Sequence, residues 1–462
     1  MADERFLDRE IELRTLERTW VAPGAHLVLV WGRRRTGKTR LLGRFVEGKR
    51  AVFYGATEQA ASAELRSFSS AVRDALPPSG DDLLAHGDFL EWDSALGYLA
   101  HKARRHRLVV VLDEFPYLVD GEPALPSIIQ RFWDHHGRRS KLHLVLCGSA
   151  QALMEELQAE RAPLFGRVDA RVQLRPFGAQ EAAMFVPRLS PSEHAICYGV
   201  VGGMPTYLAR WNDRVGHRAN LRRLFADPAS PLVAEGEYVL TSELRAAAGY
   251  FRILRAIASG RTTYGAIRQF ADIEVQRQLE RLLELGLVER IVPVTEDPAR
   301  TKQVVYRIAD NFLSFWFRFV YRLRADIERG LGREVVDRVI LPRLSDYMGA
   351  PWEQMCRELV ERKAARGELP VEVSSVGRWW NRDSSVEIDV VGTRGREVVL
   401  VGSAKWARTV DARELRKLRQ ALRALPRTAP DVTLCLFARE EIRGVTAGEA
   451  LAFTARDLFP RR

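Results

Sequence analysis

At 462 residues the chain is too long for one ordinary domain and is expected to hold about three, with an apolar share of 46% that is ample for their cores. Its four cysteines (Cys147, Cys197, Cys356, Cys435) lie far apart with no histidines at ligand spacing, which excludes a disulfide framework and a zinc site. An early charged stretch and the lack of any long apolar run exclude a signal peptide and a membrane span, so a cytoplasmic protein is expected, and the formal charge of +11 favours an anionic partner, nucleic acid first.

In chain order, the first sharp feature is "HLVLVWGRRRTGKTRLLGRF". An apolar run of strand length, His26 to Trp31, is followed at once by Gly32-x-x-x-x-Gly37-Lys38-Thr39 and then by apolar residues at helical spacing (Leu41, Leu42, Phe45). Strand, glycine loop and helix are the Walker A context that a phosphate cradle requires. Backbone N–H groups of the loop and the helix N-terminus face the phosphates, so Arg33, Arg34, Arg35, Thr36 and Arg40 are candidate nucleotide contacts beside the two glycines. Lys38 neutralises phosphate oxygens, and the Thr39 hydroxyl ligates magnesium. ATP and Mg2+ are thus the expected ligands.

A second apolar strand, "RLVVVLDEF", ends in Asp113 and Glu114, where a parallel sheet places its ligands. Asp113 is expected to hold the magnesium and Glu114 to activate the attacking water. A third, "KLHLVLCGSA", ends at Ser149, which would sit beside the γ-phosphate if this strand lies between the other two. In "APLFGRVDARVQLRPF", Arg167 falls between a helix and a strand, as an arginine finger would, or as a salt-bridged surface arginine would. "YGVVGGMPTYLARW" reads as a helical lid packed on the nucleotide domain.

"FLDREIELRTLERTW", "WGRRRTGKTRLL", "LDEFPYL", "LCGSA", "PLFGR", "LRPF" and "GGMPTYL" follow one another in the order of the archaeal-type ATPase family, a branch of the AAA+-like and STAND-like P-loop ATPases, and the first half of the chain resembles that family. The resemblance implies a P-loop parallel sheet with a helical lid. It also implies phosphate and magnesium binding by Gly32, Gly37, Lys38 and Thr39, a second acidic motif at Asp113 and Glu114, and a polar sensor at Ser149.

Short helical patterns from Arg245 onward, then "VERIVPV" and "KQVVYRIAD", outline a winged helix whose last helix runs from Glu274 to Leu285. That helix carries Arg277 and Arg281 against Glu280 and Glu284, a balance that suits a structural connector as well as a DNA contact. The aromatic run Phe312, Phe315, Trp316, Phe317, Phe319 and Tyr321 is expected to be a core seam.

The last segment reads as helix, three strands, helix, strand, which resembles the restriction-endonuclease-like fold with its PD-(D/E)XK signature. "VEIDVVGTRGREVVLVGSAKW" supplies Asp389 and Lys405, but Ser403 stands where a metal-holding carboxylate is required, and a hydroxyl is a weaker magnesium ligand. Glu387 and Glu353 are the candidate substitutes. The site formed by Glu353, Asp389, Ser403 and Lys405 is therefore expected to be a degraded nuclease site. From Lys405 to Arg427, eight basic residues face Asp411 and Glu414, a surface that fits DNA backbone, and "RWWNR" lies just upstream.

The expected architecture is α/β throughout. An ATPase core spans 1–178, a lid 179–240, a winged helix with aromatic connector 241–325, and an inactive nuclease-like domain 326–462. The expected function is an ATP-driven switch whose nucleotide state, ATP or ADP, positions DNA-binding C-terminal domains, with a homo-oligomer if an arginine acts between subunits. The alternatives are an ATP-regulated metal-dependent nuclease and a protein-binding scaffold without nucleic acid.

Overall fold

The computed structural model describes residues 7, 9–78, 80, 82–244 and 247–460. Phe6 and Asp8 of the opening motif, and Arg245 and Ala246 at the start of the middle segment, lie outside the described residues. The chain forms two compact units, 1–176 and 177–462.

In the first unit, β1 (His26–Trp31), β2 (Ala51–Gly55), β3 (Leu108–Asp113), β4 (Leu142–Gly148) and β5 (Ala170–Gln173) make one parallel sheet in the order β2-β3-β4-β1-β5. Every residue of β3 and β4 is buried. Side chains alternate between two apolar layers: Leu27, Leu29, Val110, Leu112 and Leu144 enter one, and Val28, Val30, Val109, Val111 and Val145 the other. Strand β4 does lie between β1 and β3, with Trp31 opposite Gly148. The ends of the three strands therefore open at one edge, which is where a parallel sheet presents its ligand site.

His143 is an anomaly in this sheet. It is 2% exposed, neither ring nitrogen has a protein partner, and it packs among the rings of Trp20, His26 and Phe45. Burial above all, with the nearby His26, Arg107 and Lys49, depresses its pKa to about 3. The unfolded chain then binds a proton near pH 6.5 that the folded chain refuses, so stability is complete above that pH and falls as pH drops toward 3. Urea unfolding at pH 7 and pH 5 is expected to show the loss, and His143→Phe to reduce it; an unchanged difference between the two pH values in His143→Phe would place the acid sensitivity elsewhere.

The second unit begins with helices, among them Pro191–Val201, Pro205–Leu208, His217–Phe225 and Pro231–Glu243. Three more follow, Ala248–Ala258, Tyr264–Ala271 and Gln276–Glu284, and then the antiparallel hairpin β6 (Val288–Ile291) and β7 (Val305–Ile308). The aromatic run is helical through Asn311–Phe315, Trp316–Val320 and Tyr321–Asp326. Phe312, Phe315, Trp316 and Phe317 are fully buried in it, and the Trp316 indole donates to the Val233 carbonyl at 2.9 Å. This seam belongs to one hydrophobic core whose members run from Phe177 to Phe459 within the second unit.

After the helix Gly349–Ala365 come β8 (Ser375–Trp380), β9 (Glu387–Arg394) and β10 (Glu397–Ala404), which pair antiparallel. The short β11 (Thr409–Asp411), the helix Ala412–Leu422, β12 (Thr428–Ala438), β13 (Glu441–Arg443) and β14 (Leu451–Thr454) follow. Strand β12 pairs parallel to β10 and β14 parallel to β12, giving the order β14-β12-β10-β9-β8, while β11 and β13 form a separate pair. Strands β11, β13 and β14 were not anticipated: each has three or four residues, too few for alternation to show. Trp379 and Trp380 of "RWWNR" are buried, which removes them as exposed stacking surfaces.

Candidate nucleotide site and the C-terminal acidic cluster

The phosphate loop is shaped by close approach and by left-handed backbone. A Cβ on Gly32 would stand 2.2 Å from the Leu174 carbonyl oxygen, so only glycine lets β1 leave the sheet there. Arg35 and Gly37 have φ of 70° and 91°, curling the backbone back on itself. The buried Thr36 hydroxyl donates to the Arg33 carbonyl at 2.8 Å and closes the curl.

Lys38, 5% exposed, points its ammonium into that curl, donating to the carbonyls of Gly32 at 2.9 Å and Arg33 at 3.2 Å. One residue on, the Thr39 hydroxyl donates to Asp113 Oδ2 at 2.7 Å. The other Asp113 oxygen accepts from the Glu114 N–H at 3.0 Å. Glu114 follows the buried strand with φ of 52°, a left-handed turn that lifts its side chain off the sheet. Its carboxylate accepts from the Ser149 hydroxyl at 2.7 Å and from the Ser149 N–H at 3.3 Å. The strand order thus brings Gly32, Lys38, Thr39, Asp113, Glu114 and Ser149 to one edge.

Two residues that sequence reasoning missed brace the loop. Arg9 donates to the Thr36 carbonyl at 3.2 Å and to the Arg175 carbonyl at 2.6 Å, tying the loop to the chain beyond β5. The Tyr117 hydroxyl accepts from Arg34 at 2.8 Å. Arg9 lies in the opening motif and Tyr117 in "LDEFPYL", but no local pattern ties either of them to the loop. Arg167, expected as a finger, closes its guanidinium fork on Asp134 at 2.9 and 2.6 Å and donates to the carbonyls of Pro163 and Phe165. That hydrogen bonding raises the Arg167 pKa and lowers that of Asp134. The pair must open before Arg167 can reach a phosphate.

In the second unit a further acid that sequence reasoning missed, Glu414, stands beside Ser403. Glu387 is turned to Arg378, 3.0 Å away. Glu414, from the helix Ala412–Leu422, accepts from the Ser403 hydroxyl at 2.8 Å, and that hydroxyl also lies 3.3 Å from Asp389. Lys405 donates to Asp389 at 2.9 Å and stands 3.8 Å from Glu414. Glu353 is near; burial first, and then the Asp389 charge, push its pKa up to about 7.

A divalent cation does not fit this arrangement. Among the described residues no three carboxylates, histidines or cysteines converge on one point, and the Lys405 ammonium stands against both Asp389 and Glu414 where the ion's charge would be. Of the eight basic residues from Lys405 to Arg427, Lys405, Arg408, Lys417 and Arg419 are each within ion-pair distance of a carboxylate.

Comparison with known proteins places these features. Residues 6–211 match the family described as an ATPase domain predominantly from Archaea, and residues 316–418 match a family of archaeal and bacterial proteins of unknown function. The chain is 27% identical over 417 residues to an uncharacterised protein of Methanocaldococcus jannaschii, covering 89% of this chain and 90% of that one. A 45-residue segment is 47% identical to an uncharacterised ATP-binding protein of the same organism, 10% of this chain and 76% of that one. The fold is similar to that of a Walker-type ATPase of Pyrococcus abyssi, with a TM-score of 0.52 and 20% identity over 68% of this chain and 97% of that one.

Proposed function

We propose that this chain, whose residues 6–211 match the archaeal ATPase-domain family, binds and hydrolyses ATP as a molecular switch whose nucleotide state positions DNA-binding domains in the unit 177–462. The observation that carries the ATPase reading is the 2.7 Å meeting of Thr39 and Asp113 beside a loop that already holds the Lys38 ammonium. A hydroxyl and one carboxylate are hard oxygens suited to magnesium, whose remaining ligands are phosphate oxygens and water. Magnesium, when bound, neutralises charge on the phosphates.

The chain's own residues divide the remaining work. Lys38 exchanges two carbonyl partners for phosphate oxygens, and the loop N–H groups bind the rest. Glu114 takes the proton of the attacking water, with Ser149 holding its carboxylate in place. Arg167 is committed to Asp134, so an arginine reaches the γ-phosphate either by release of that pair or from a second copy of the chain. Turnover measured with and without DNA, with molar mass in the ATP and ADP states, tests the whole reading. Turnover and mass indifferent to both DNA and nucleotide would remove the switch.

The C-terminal site is proposed not to cleave, because the Lys405 ammonium stands against Asp389 and Glu414 where a metal would sit. Incubation with supercoiled and linear DNA in magnesium or manganese is expected to leave both intact. Cleavage that disappears in Asp389→Ala or Glu414→Gln would establish the nuclease alternative, with Glu414 as the displaced acid. A cytoplasmic location accords with ATP dependence and with four cysteines that are buried and free; among the described residues no helix is long and apolar enough to cross a membrane.

A further inference from the structure

Unpaired positive charge in the second unit also gathers away from the C-terminal helix. Arg255 on the helix Ala248–Ala258, Arg261 just after it, Arg318 and Arg322 on the aromatic helical run, and Arg343 on the helix Leu341–Tyr347 line one open cleft of about 400 Å3, with Asp346 as its one acid. All five guanidinium groups are exposed, and none is ion-paired among the described residues. Several other arginines of the unit are matched: Arg222 with Asp337, Arg307 with Glu289, Arg324 with Glu237 and Glu328.

Three of the cleft arginines are nevertheless held in place. Arg255 and Arg261 lie over the ring of Phe270, at 5.2 and 5.7 Å from its centre. Arg261 donates to the Ser259 carbonyl at 3.4 Å and Arg318 to the Ala258 carbonyl at 3.3 Å. These contacts occupy single N–H groups and leave the rest of each fork open. Five like charges gathered with one acid repel one another unless an anion binds among them, and the planar fork matches phosphate oxygens in pairs.

The shape of the surface selects among anions. A second open cleft, of about 720 Å3, shares Arg255 with the first and adds Arg252, the acids Glu237 and Asp272, and the rings of Phe251, Phe270 and Tyr321. The excess positive charge is that of the first cleft, whose five arginines exceed what a single phosphate takes, and the charge-balanced second cleft sets aromatic rings beside it. That combination fits a chain of phosphates carrying flat bases better than a free nucleotide or a peptide carboxylate.

We propose that the track through Arg255, Arg261, Arg318, Arg322 and Arg343 is the surface that binds the sugar-phosphate backbone of nucleic acid. The assignment rests on the DNA-binding reading above, and moves the contact away from the Lys405–Arg427 stretch, where four of the basic residues are already neutralised.

The test is fluorescence anisotropy of the full chain with a labelled 30-base-pair duplex and the matching single strand over a salt series. The triple variant Arg318→Ala, Arg322→Ala, Arg343→Ala is expected to weaken binding at least tenfold and to reduce the salt slope by about two to three, roughly 0.9 for each phosphate that no longer meets an arginine. The C-terminal variant Arg416→Ala, Arg423→Ala is expected to change neither, and ATP turnover without DNA to stay the same in both. Matching Tm values, together with a Lys-substituted triple that keeps part of the affinity, guard against a folding effect. Wild-type protein that binds no nucleic acid at low salt would sink the DNA reading itself. Full binding by the alanine triple, or a loss confined to the C-terminal variant, would sink the cleft alone. Equal binding of phosphatidylserine vesicles or polyglutamate, abolished in the same triple, would overturn the assignment to nucleic acid.

Discussion

Glu114→Gln protein is expected to bind ATP with near wild-type affinity and to turn it over on the order of 100- to 10,000-fold more slowly, the range associated with loss of a positioned general base. The amide keeps the shape of the carboxylate and can still accept from Ser149, whose hydroxyl is 2.7 Å from Glu114 in the native chain. What it loses is basicity, so the effect belongs in kcat with little change in KM. Lys38→Ala is expected to act on the other parameter. Its ammonium is buried inside the loop, and its removal leaves the Gly32 and Arg33 carbonyls facing the phosphates with no cation between them. Fluorescent-nucleotide titration should therefore show binding abolished in Lys38→Ala and retained in Glu114→Gln. Wild-type hydrolysis by Glu114→Gln would mean that another group takes the proton. Ser149→Ala, which leaves the Glu114 carboxylate without its hydroxyl donor, is expected to fall between wild type and Glu114→Gln in kcat.

Gly203→Ala is expected to be the most damaging small substitution in the second unit, costing about 3 kcal/mol or more, at or beyond the upper end of ordinary overpacking. A Cβ there would stand 1.8 Å from the Phe177 carbonyl oxygen and 2.8 Å from two further Phe177 backbone atoms, none of which is the end of a flexible side chain. The same strands of chain are joined by a hydrogen bond from the Phe177 N–H to the Gly203 carbonyl at 2.9 Å. "LRPF" and "GGMPTYL" are thus two sides of one backbone contact. Nearby, the Tyr207 hydroxyl donates to Glu235 at 2.6 Å, and its ring packs on Phe312 at 4.4 Å, so a shift at Gly203 is felt in the aromatic seam. The control is Gly265→Ala, in the helix Tyr264–Ala271 with nothing within 4 Å of its Cβ position, expected to raise stability by about 0.5–1 kcal/mol. Urea midpoints for the two variants should move in opposite directions, and a Gly203→Ala midpoint at the wild-type value would mean the backbone yields there.

Legibility followed the range of the interaction. His26 to Phe45 could be read in place because an apolar run, two glycines at set spacing and a helical period are all properties of neighbours along the chain. Asp113 and Glu114 were readable for the same reason, as the polar end of a strand with no polar residue inside it. The aromatic run was readable as core, since so many rings at helical spacing have few other places to go. Arg9, by contrast, reaches the Thr36 carbonyl across the first helix and strand, and no local pattern pairs a residue with a distant backbone oxygen.

In the C-terminal segment the sequence by itself set Asp389 on one strand and Lys405 at the end of the next, with Ser403 where a restriction-endonuclease-like site would carry a carboxylate. Only the tertiary structure decided that Glu414 meets the Ser403 hydroxyl while Glu387 turns to Arg378, because that depends on how the helix Ala412–Leu422 packs beside β10. The arginine track is the same case on a larger scale. Arg255, Arg318 and Arg343 are unremarkable in a chain rich in arginine, and their common charge acquires meaning only where three helices bring them to one cleft. Spacing encodes what lies on one element, whereas convergence between elements is set by the packing of their buried faces, which the exposed residues themselves do not record.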